Sequence, residues 1–415
     1  MDIFLTLLFC ASIALLVLLA VKVSFFVYFS IAHLKGGHDY NERFSESKIC
    51  YTPTVSVIVP AYNEELVLEN CVNSLLKLDY PFFKIIIVDD GSSDQTPTIG
   101  RNLAKQHPLV SFYRKKNGGK AMALNYGVAK SNSDIVVCID ADSILKEDAL
   151  WHLTLPFAEL KVGAVGGNVK VVNREKLLNL HQAVEYIVGL NIQRRAFSHI
   201  GCMQVISGAI GAFRRDVLMQ IGGYSHDTLV EDMDITIAVS KAGFDVIFAP
   251  QAIAYTEAPE SIRDFIKQRY RWTLGGFKVL KKYREMIFNS EYGRMGTIGL
   301  PYFMIFPWID VAISIMLILT VLAVTVTGNY LLLLIFLSIM LSIQAIIVVY
   351  ALRIDKERWY LVFLVVLENI WYSHMLNYIT LKAGMDHLTN KATSWNKVTR
   401  LGKNTLSPKI APIEA

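Results

Sequence analysis

Charge is scarce in this chain of 415 residues: Asp, Glu, Lys and Arg supply 19% of it and hydrophobic residues 53%, which is too apolar for an ordinary water-soluble globule. Cysteine is scarce too. The five, at 10, 50, 71, 138 and 202, show no Cys-x-x-Cys and no paired spacing, so neither a zinc site nor a disulfide framework is expected, and a reducing compartment fits. No Gly-x-Gly-x-x-Gly follows the first β-like run, where the chain reads Pro60-Ala-Tyr-Asn-Glu64; a hydride-transfer dinucleotide fold is excluded. Gly118-Gly-Lys120 fails as a phosphate loop, because Arg114 stands at the leading glycine position and Ala121 replaces the required Ser or Thr. The net charge of +5 is modest, and the basic residues lie mostly beside apolar runs, so no nucleic-acid partner is expected and membrane lipid is.

Long apolar runs are what the chain does have. A bilayer needs about 20 apolar residues of helix, and residues 3–32 supply that length with Lys22 as their one charge. No positive n-region or Ala-x-Ala site marks a cleaved signal, so we read a spanning helix. Three more apolar stretches follow at 298–327, 330–352 and 359–381. Arg353-Ile-Asp-Lys356-Glu-Arg358 predicts a cytoplasmic loop and Gly328-Asn329 an external one, which places the intervening domain in the cytosol. Three full spans would then send a lysine-rich tail outside, so one stretch is expected not to cross. Pro301 and Pro307 break the first, and Glu368, Asn369, His374 and Asn377 load the last with polar groups. The organisation read here is a transmembrane helix and linker (1–50), a cytosolic domain (51–292) with an interfacial helix near 260–290, membrane helices (293–384) and a basic tail (385–415).

Residues 51–292 alternate as a soluble α/β domain does. Strands are predicted at 55–60, 84–89, 110–113 and 135–139, with helices at 64–77 and 120–130, which implies a mostly parallel sheet covered on both faces. Ligands of such sheets bind beyond the strand C-terminal ends. Asp89-Asp90-Gly91-Ser92 and Asp140-Ala-Asp142 stand there. A strand-tip carboxylate at 89 or 90 can accept hydrogen bonds from a uracil or ribose; the alternative is a plain turn with Asp94 capping the next helix. Asp140 and Asp142 can share a divalent cation with diphosphate oxygens, although a solvated acidic turn is equally common. Glu231-Asp232 by itself reads as an acidic helix start, where first-turn acids meet the helix dipole. Gln268-x-x-Arg271-Trp272 offers an aromatic platform and a cation, or a membrane-interface anchor.

Taken together and in order, Pro60-Ala-Tyr-Asn-Glu64, Asp89-Asp90-Gly91-Ser92, Asp140-Ala-Asp142, Glu231-Asp232 and Gln268-Arg-Tyr-Arg271-Trp272 resemble the processive family-2 glycosyltransferases, the group of cellulose, chitin, hyaluronan and poly-N-acetylglucosamine synthases. Thr256-Glu-Ala-Pro259 is most similar to the bacterial poly-N-acetylglucosamine type. The resemblance implies a GT-A-type nucleotide-sugar-binding α/β domain flanked by transmembrane helices in the cell (plasma or inner) membrane. It places Pro60, Tyr62, Glu64, one or both of Asp89 and Asp90, and Lys120 around uridine, and Asp140 and Asp142 on Mg²⁺ or Mn²⁺. Asp232, beside Glu231, becomes the general base, Gln268, Arg271 and Trp272 line the acceptor and diphosphate site, and Asn168, Ser207 and Gly208 lie on the acceptor side. Trp395 and Arg400 resemble a cytosolic gate. The expected partners are a UDP-sugar, most readily UDP-N-acetylglucosamine, a growing β-linked polysaccharide and accessory export proteins. Transfer of a single sugar to a lipid carrier is the alternative reaction, and a non-catalytic transporter or scaffold subunit the alternative class.

Overall fold

The computed structural model describes residues 2–36, 51–328 and 330–390; Trp395 and Arg400 lie outside them. Its centre is an eight-stranded sheet in the order β3-β2-β1-β4-β7-β6-β8-β5. The four predicted strands are β1 (Val55–Ala61), β2 (Phe83–Asp89), β3 (Val110–Arg114) and β4 (Ile135–Cys138), and they pair in parallel. All seven residues of β1 are buried, as a strand covered by helices on both faces must be. Beyond β4 the sheet is mixed. β7 (Gly211–Arg214) runs antiparallel to β4 and to β6 (Val162–Val171), β8 (Asp245–Thr256) pairs parallel to β6, and β5 (Ile144–Leu145) closes the edge antiparallel to β8. Chain order reverses between β1 and β4, which opens a crevice beyond their C-terminal ends.

The first predicted helix is shorter than its pattern, Leu68–Leu75 instead of 64–77. Asn63 takes φ +55°, and the N–H groups of Asn63 and Glu64 donate to Ser92 Oγ (2.9 Å) and Thr96 Oγ1 (2.7 Å). Backbone donors at the crevice rim therefore bind the neighbouring loop instead of opening a helix.

Among the described residues four helices are long and apolar enough to cross a membrane: Leu8–Gly36, Met295–Thr327, Leu333–Ile354 and Trp359–Leu388. The prolines do not break the second as expected. A π-helical turn, Met295–Gly299, runs directly into Leu300–Thr327, so the chain passes Pro301 without a break, and the helix continues through Pro307. Three polar side chains within the bundle meet protein partners, which suits a lipid surrounding: Lys22 pairs with Asp310 (2.8 Å), Asn369 donates to Gln344 Oε1 (2.6 Å), and Asn377 to Ser314 Oγ (2.5 Å).

The fourth segment is the least apolar of the four, and both its ends meet the α/β domain. Just before it, Glu357 accepts from Arg174 Nη1 (2.7 Å) and Asp355 from Asn191 (2.7 Å). Near its far end Asp386 accepts from Tyr270 Oη (2.5 Å) and Asn390 from Lys281 (3.4 Å). Tyr270 and Lys281 belong to the amphipathic helix Ile262–Lys282.

Candidate active site

The crevice beyond β1 and β4 is built by short-range geometry that the motif residues impose on one another. Gly91 takes φ +79°, and a Cβ there would stand 2.8 Å from the Asn117 backbone nitrogen, so only glycine lets the loops close. The two adjacent aspartates then part company. Asp89 is fully buried, pairs with Arg114 Nε (3.0 Å) and accepts from the Ser92 N–H (3.1 Å); it lies behind the crevice. Asp90 lines it, accepting from the N–H groups of Gly118 (3.0 Å) and Gly119 (2.7 Å) and from Lys115 (2.5 Å). Its carboxylate thus holds the loop that starts the helix Lys120–Lys130.

Pro60, Tyr62, Glu64, Asp90, Asp140 and Asp142 share one cavity of about 690 Å³. A second, of about 460 Å³, is lined by Ser207, Gly208, Asp232 and Trp272 and reaches Lys22, Phe306 and Asp310 of the apolar helices. Lys120, Asp140, Glu231, Gln268 and Arg271 line both, so the two cavities meet at these residues. At that junction Lys120 Nζ is 2.5 Å from Asp140 Oδ1 and 2.8 Å from Glu231 Oε1. Burial acts to lower the Lys120 pKa, but Asp140 and Glu231 outweigh it and the net shift is upward. A Cβ at Gly208 would lie 2.6 Å from that ammonium, so any larger residue would have to displace Lys120 from its two carboxylates.

Asp232 opens the helix Glu231–Lys241 and accepts from the N–H groups of Met233 (2.9 Å) and Gly208 (3.4 Å). Burial first, then the charge of Glu231, pushes its pKa up to about 6, against the pull of Lys120. A carboxylate so tuned is ionised at neutral pH yet basic enough to take a hydroxyl proton. Asp142 is buried. Burial and then the charges of Asp142, Asp140 and Glu64 push the Cys71 thiol well up, so three carboxylate fields converge behind the crevice. Among the described residues no three His, Cys, Asp or Glu form a metal cage. Two hard carboxylates nevertheless fit a divalent cation whose other ligands are diphosphate oxygens and water.

Arg271 Nε is buried and hydrogen-bonded to none of the described residues, a donor suited to an incoming anion. Gln268 and Trp272 are held by a residue the motif reading passed over. Arg269 donates to Gln268 Oε1 (2.5 Å), lies 4.2 Å from the Trp272 ring centroid and forks onto Glu185 (3.1 and 2.9 Å), which also accepts from Tyr372 of the fourth segment. Asn168 is not brought to the site. It is buried, lines neither cavity, and its amide donates to Asp355 (3.2 Å). Arg194, equally unsignalled by any motif, lines the membrane-side cavity.

Residues 53–275 match a family model described as glycosyltransferase-like family 2. The chain belongs to this family. It is 33% identical to a curated poly-β-1,6-N-acetyl-D-glucosamine synthase of Staphylococcus epidermidis, over 54% of this chain and 55% of the relative. It is 30% identical to a synthase of the same name from Staphylococcus aureus over the same shares. The matched region spans about half the length of these relatives. A mannosyltransferase from Pyrobaculum calidifontis, solved with GDP-Man and Mn²⁺, is similar in fold: TM-score 0.61 at 22% identity, covering 89% of this chain and 99% of that one. The family-2 domain here therefore has the GT-A fold, with a mixed, mostly parallel sheet.

Proposed function

We propose that this protein polymerises N-acetylglucosamine from a UDP donor into a β-linked polysaccharide that leaves through its membrane helices. The observation that carries this reading is the meeting of two cavities at Lys120, Asp140, Glu231, Gln268 and Arg271, one in the nucleotide crevice and one running to the apolar helices. The names of the staphylococcal relatives favour N-acetylglucosamine as the sugar. Asp232 takes the proton of the acceptor hydroxyl as its oxygen bonds the anomeric carbon, and the bond from that carbon to the diphosphate breaks on the opposite face, so configuration inverts. Lys120 and Arg271 place positive charge where UDP departs. A Mg²⁺ or Mn²⁺ ion held by Asp140 and Asp142 would offset diphosphate charge. Trp272 gives the acceptor ring a stacking face.

Two expected results test this reading. Purified protein in lipid nanodiscs, offered a panel of labelled UDP-sugars, consumes UDP-N-acetylglucosamine, yields polymer on sizing, and stops in excess EDTA. A labelled lipid-linked monosaccharide as the sole product would instead establish single transfer, and full turnover in EDTA would remove the metal.

Both ends of Trp359–Leu388 touch the family-2 domain, which supports a segment that lies along the membrane face and returns to the cytosolic side. Three crossings then remain, and the basic tail stays with the catalytic domain, as the charge rule favours. A protease-cleavable tag appended after Ala415 should be protected in intact cells and cut after lysis. Cutting in intact cells would mean that the fourth helix crosses.

A further inference from the structure

Arg194 stands on the helix Gln193–Ile200, three residues before Phe197. The Phe197 ring packs edge-on against Phe26 of the first apolar helix (centroids 5.5 Å apart) and against Tyr302 (5.0 Å). Arg194 is 6% exposed and its neighbour Arg195 7%, but the two are treated differently. Arg195 Nε donates to Asn191 Oδ1 (2.7 Å), which is itself tied to Asp355. Arg194 Nη1 is buried and hydrogen-bonded to none of the described residues. Burial lowers its pKa to about 10, with the charge of Asp232 opposing the shift.

Buried polar groups in folded proteins are bonded almost without exception, and a buried charge with no partner is costly. Methionine would fill the same volume on this helix face without that cost. The penalty is understandable if the guanidinium serves a ligand, because strain and unmet polarity collect at functional sites. Arg194 shares the membrane-side cavity with Asp232 and Trp272, and the carboxylates lining that cavity, Asp140, Glu185, Glu231, Asp232, Glu257 and Asp310, outnumber its four cations. An anionic ligand would meet an excess of negative charge there, whereas a neutral, oxygen-rich one would not. The planar guanidinium fork suits adjacent hydroxyls or an amide carbonyl.

We propose that Arg194 is an acceptor-binding residue, donating hydrogen bonds to oxygen atoms of a neutral saccharide beside Asp232. The inference rests on the proposed reading of this cavity as the acceptor site.

Arg194→Met tests it, because the Nη1 it removes is hydrogen-bonded to none of the described residues. In nanodiscs the variant should melt no lower than the wild type, since a buried guanidinium with an unbonded Nη1 has been replaced by an apolar side chain of similar volume. Its KM for a soluble β-linked N-acetylglucosamine oligosaccharide should rise about 30-fold relative to its KM for the UDP-sugar, the loss expected of hydrogen bonds to a charged donor. Arg194→Lys, which keeps the charge but not the fork, should recover part of that loss. An unchanged ratio of the two KM values in Arg194→Met overturns the proposal. So does a lower melting point with both KM values raised alike, which would mark a structural arginine. Failure of the wild type to polymerise any UDP-sugar would sink the reading of the reaction before a variant is compared. Saturation-transfer NMR of the same oligosaccharide with wild type and Arg194→Met then judges the subsite independently: a signal lost in the variant upholds it, and equal or absent signals in both overturn it.

Discussion

Asp232→Asn is expected to reduce sugar transfer on the order of 10³-fold, within the range that general-base catalysis supplies, while UDP still binds. The amide keeps an oxygen for the N–H groups of Met233 and Gly208 that now hold the carboxylate, so the local fold survives. What is lost is the base. Asp140→Asn, by contrast, should weaken metal-dependent donor binding, because Asp140 lies in the nucleotide crevice. Calorimetry with UDP and Mn²⁺, set beside transfer of labelled sugar, separates the two effects. The same argument predicts the pH dependence. With an Asp232 pKa of about 6, the ionised, active form is full above pH 7 and lost as pH falls through 6, so the rate should drop about tenfold per unit below that value. Identical donor-binding defects in both variants, or a rate that stays flat down to pH 5, would contradict the assignment of Asp232 as base.

Trp272→Ala should reduce polymer formation roughly 100-fold while slow hydrolysis of the donor by water falls far less. An indole face orients a bulky pyranose, and orientation of a bound nucleophile carries a large share of a barrier, on the order of 7 kcal/mol at the low end of effective-molarity estimates. Water needs no such platform. Trp272 faces the membrane-side cavity and is stacked on Arg269, so the truncation also frees the guanidinium face. Monodisperse extraction and intact UDP binding must accompany the measurement. Polymer of normal length at normal rate from a folded Trp272→Ala protein would make Gln268-x-x-Arg271-Trp272 a membrane anchor and no acceptor site.

The crevice was legible because its residues act through local backbone geometry. A strand that ends in Asp-Asp-Gly-Ser must turn, and β-branched runs that end in acids place those acids at one edge of a parallel sheet. The lower half of the sheet was not legible. β7 inserts between β4 and β6 antiparallel to both, and no short-range pattern encodes a partner some seventy residues away in the chain. The same limit explains Asn168. It follows two glycines as an acceptor-side residue would, yet Asp355, 187 residues on, claims its amide.

Composition and periodicity by themselves determined the apolar flanks, the α/β domain between them and the carboxylates at its strand ends, because burial in lipid or in a sheet imposes repeats that short windows reveal. Only the tertiary structure decided which of two adjacent aspartates faces the crevice: Arg114 takes Asp89 and the glycine loop takes Asp90. It also decided that Arg269 links Gln268 and Trp272, that Arg194 Nη1 is buried and bonded to none of the described residues, and that contacts to the α/β domain flank the fourth apolar helix at both ends. Each of these depends on which distant side chain reaches a charge first, and that competition is settled by packing in three dimensions.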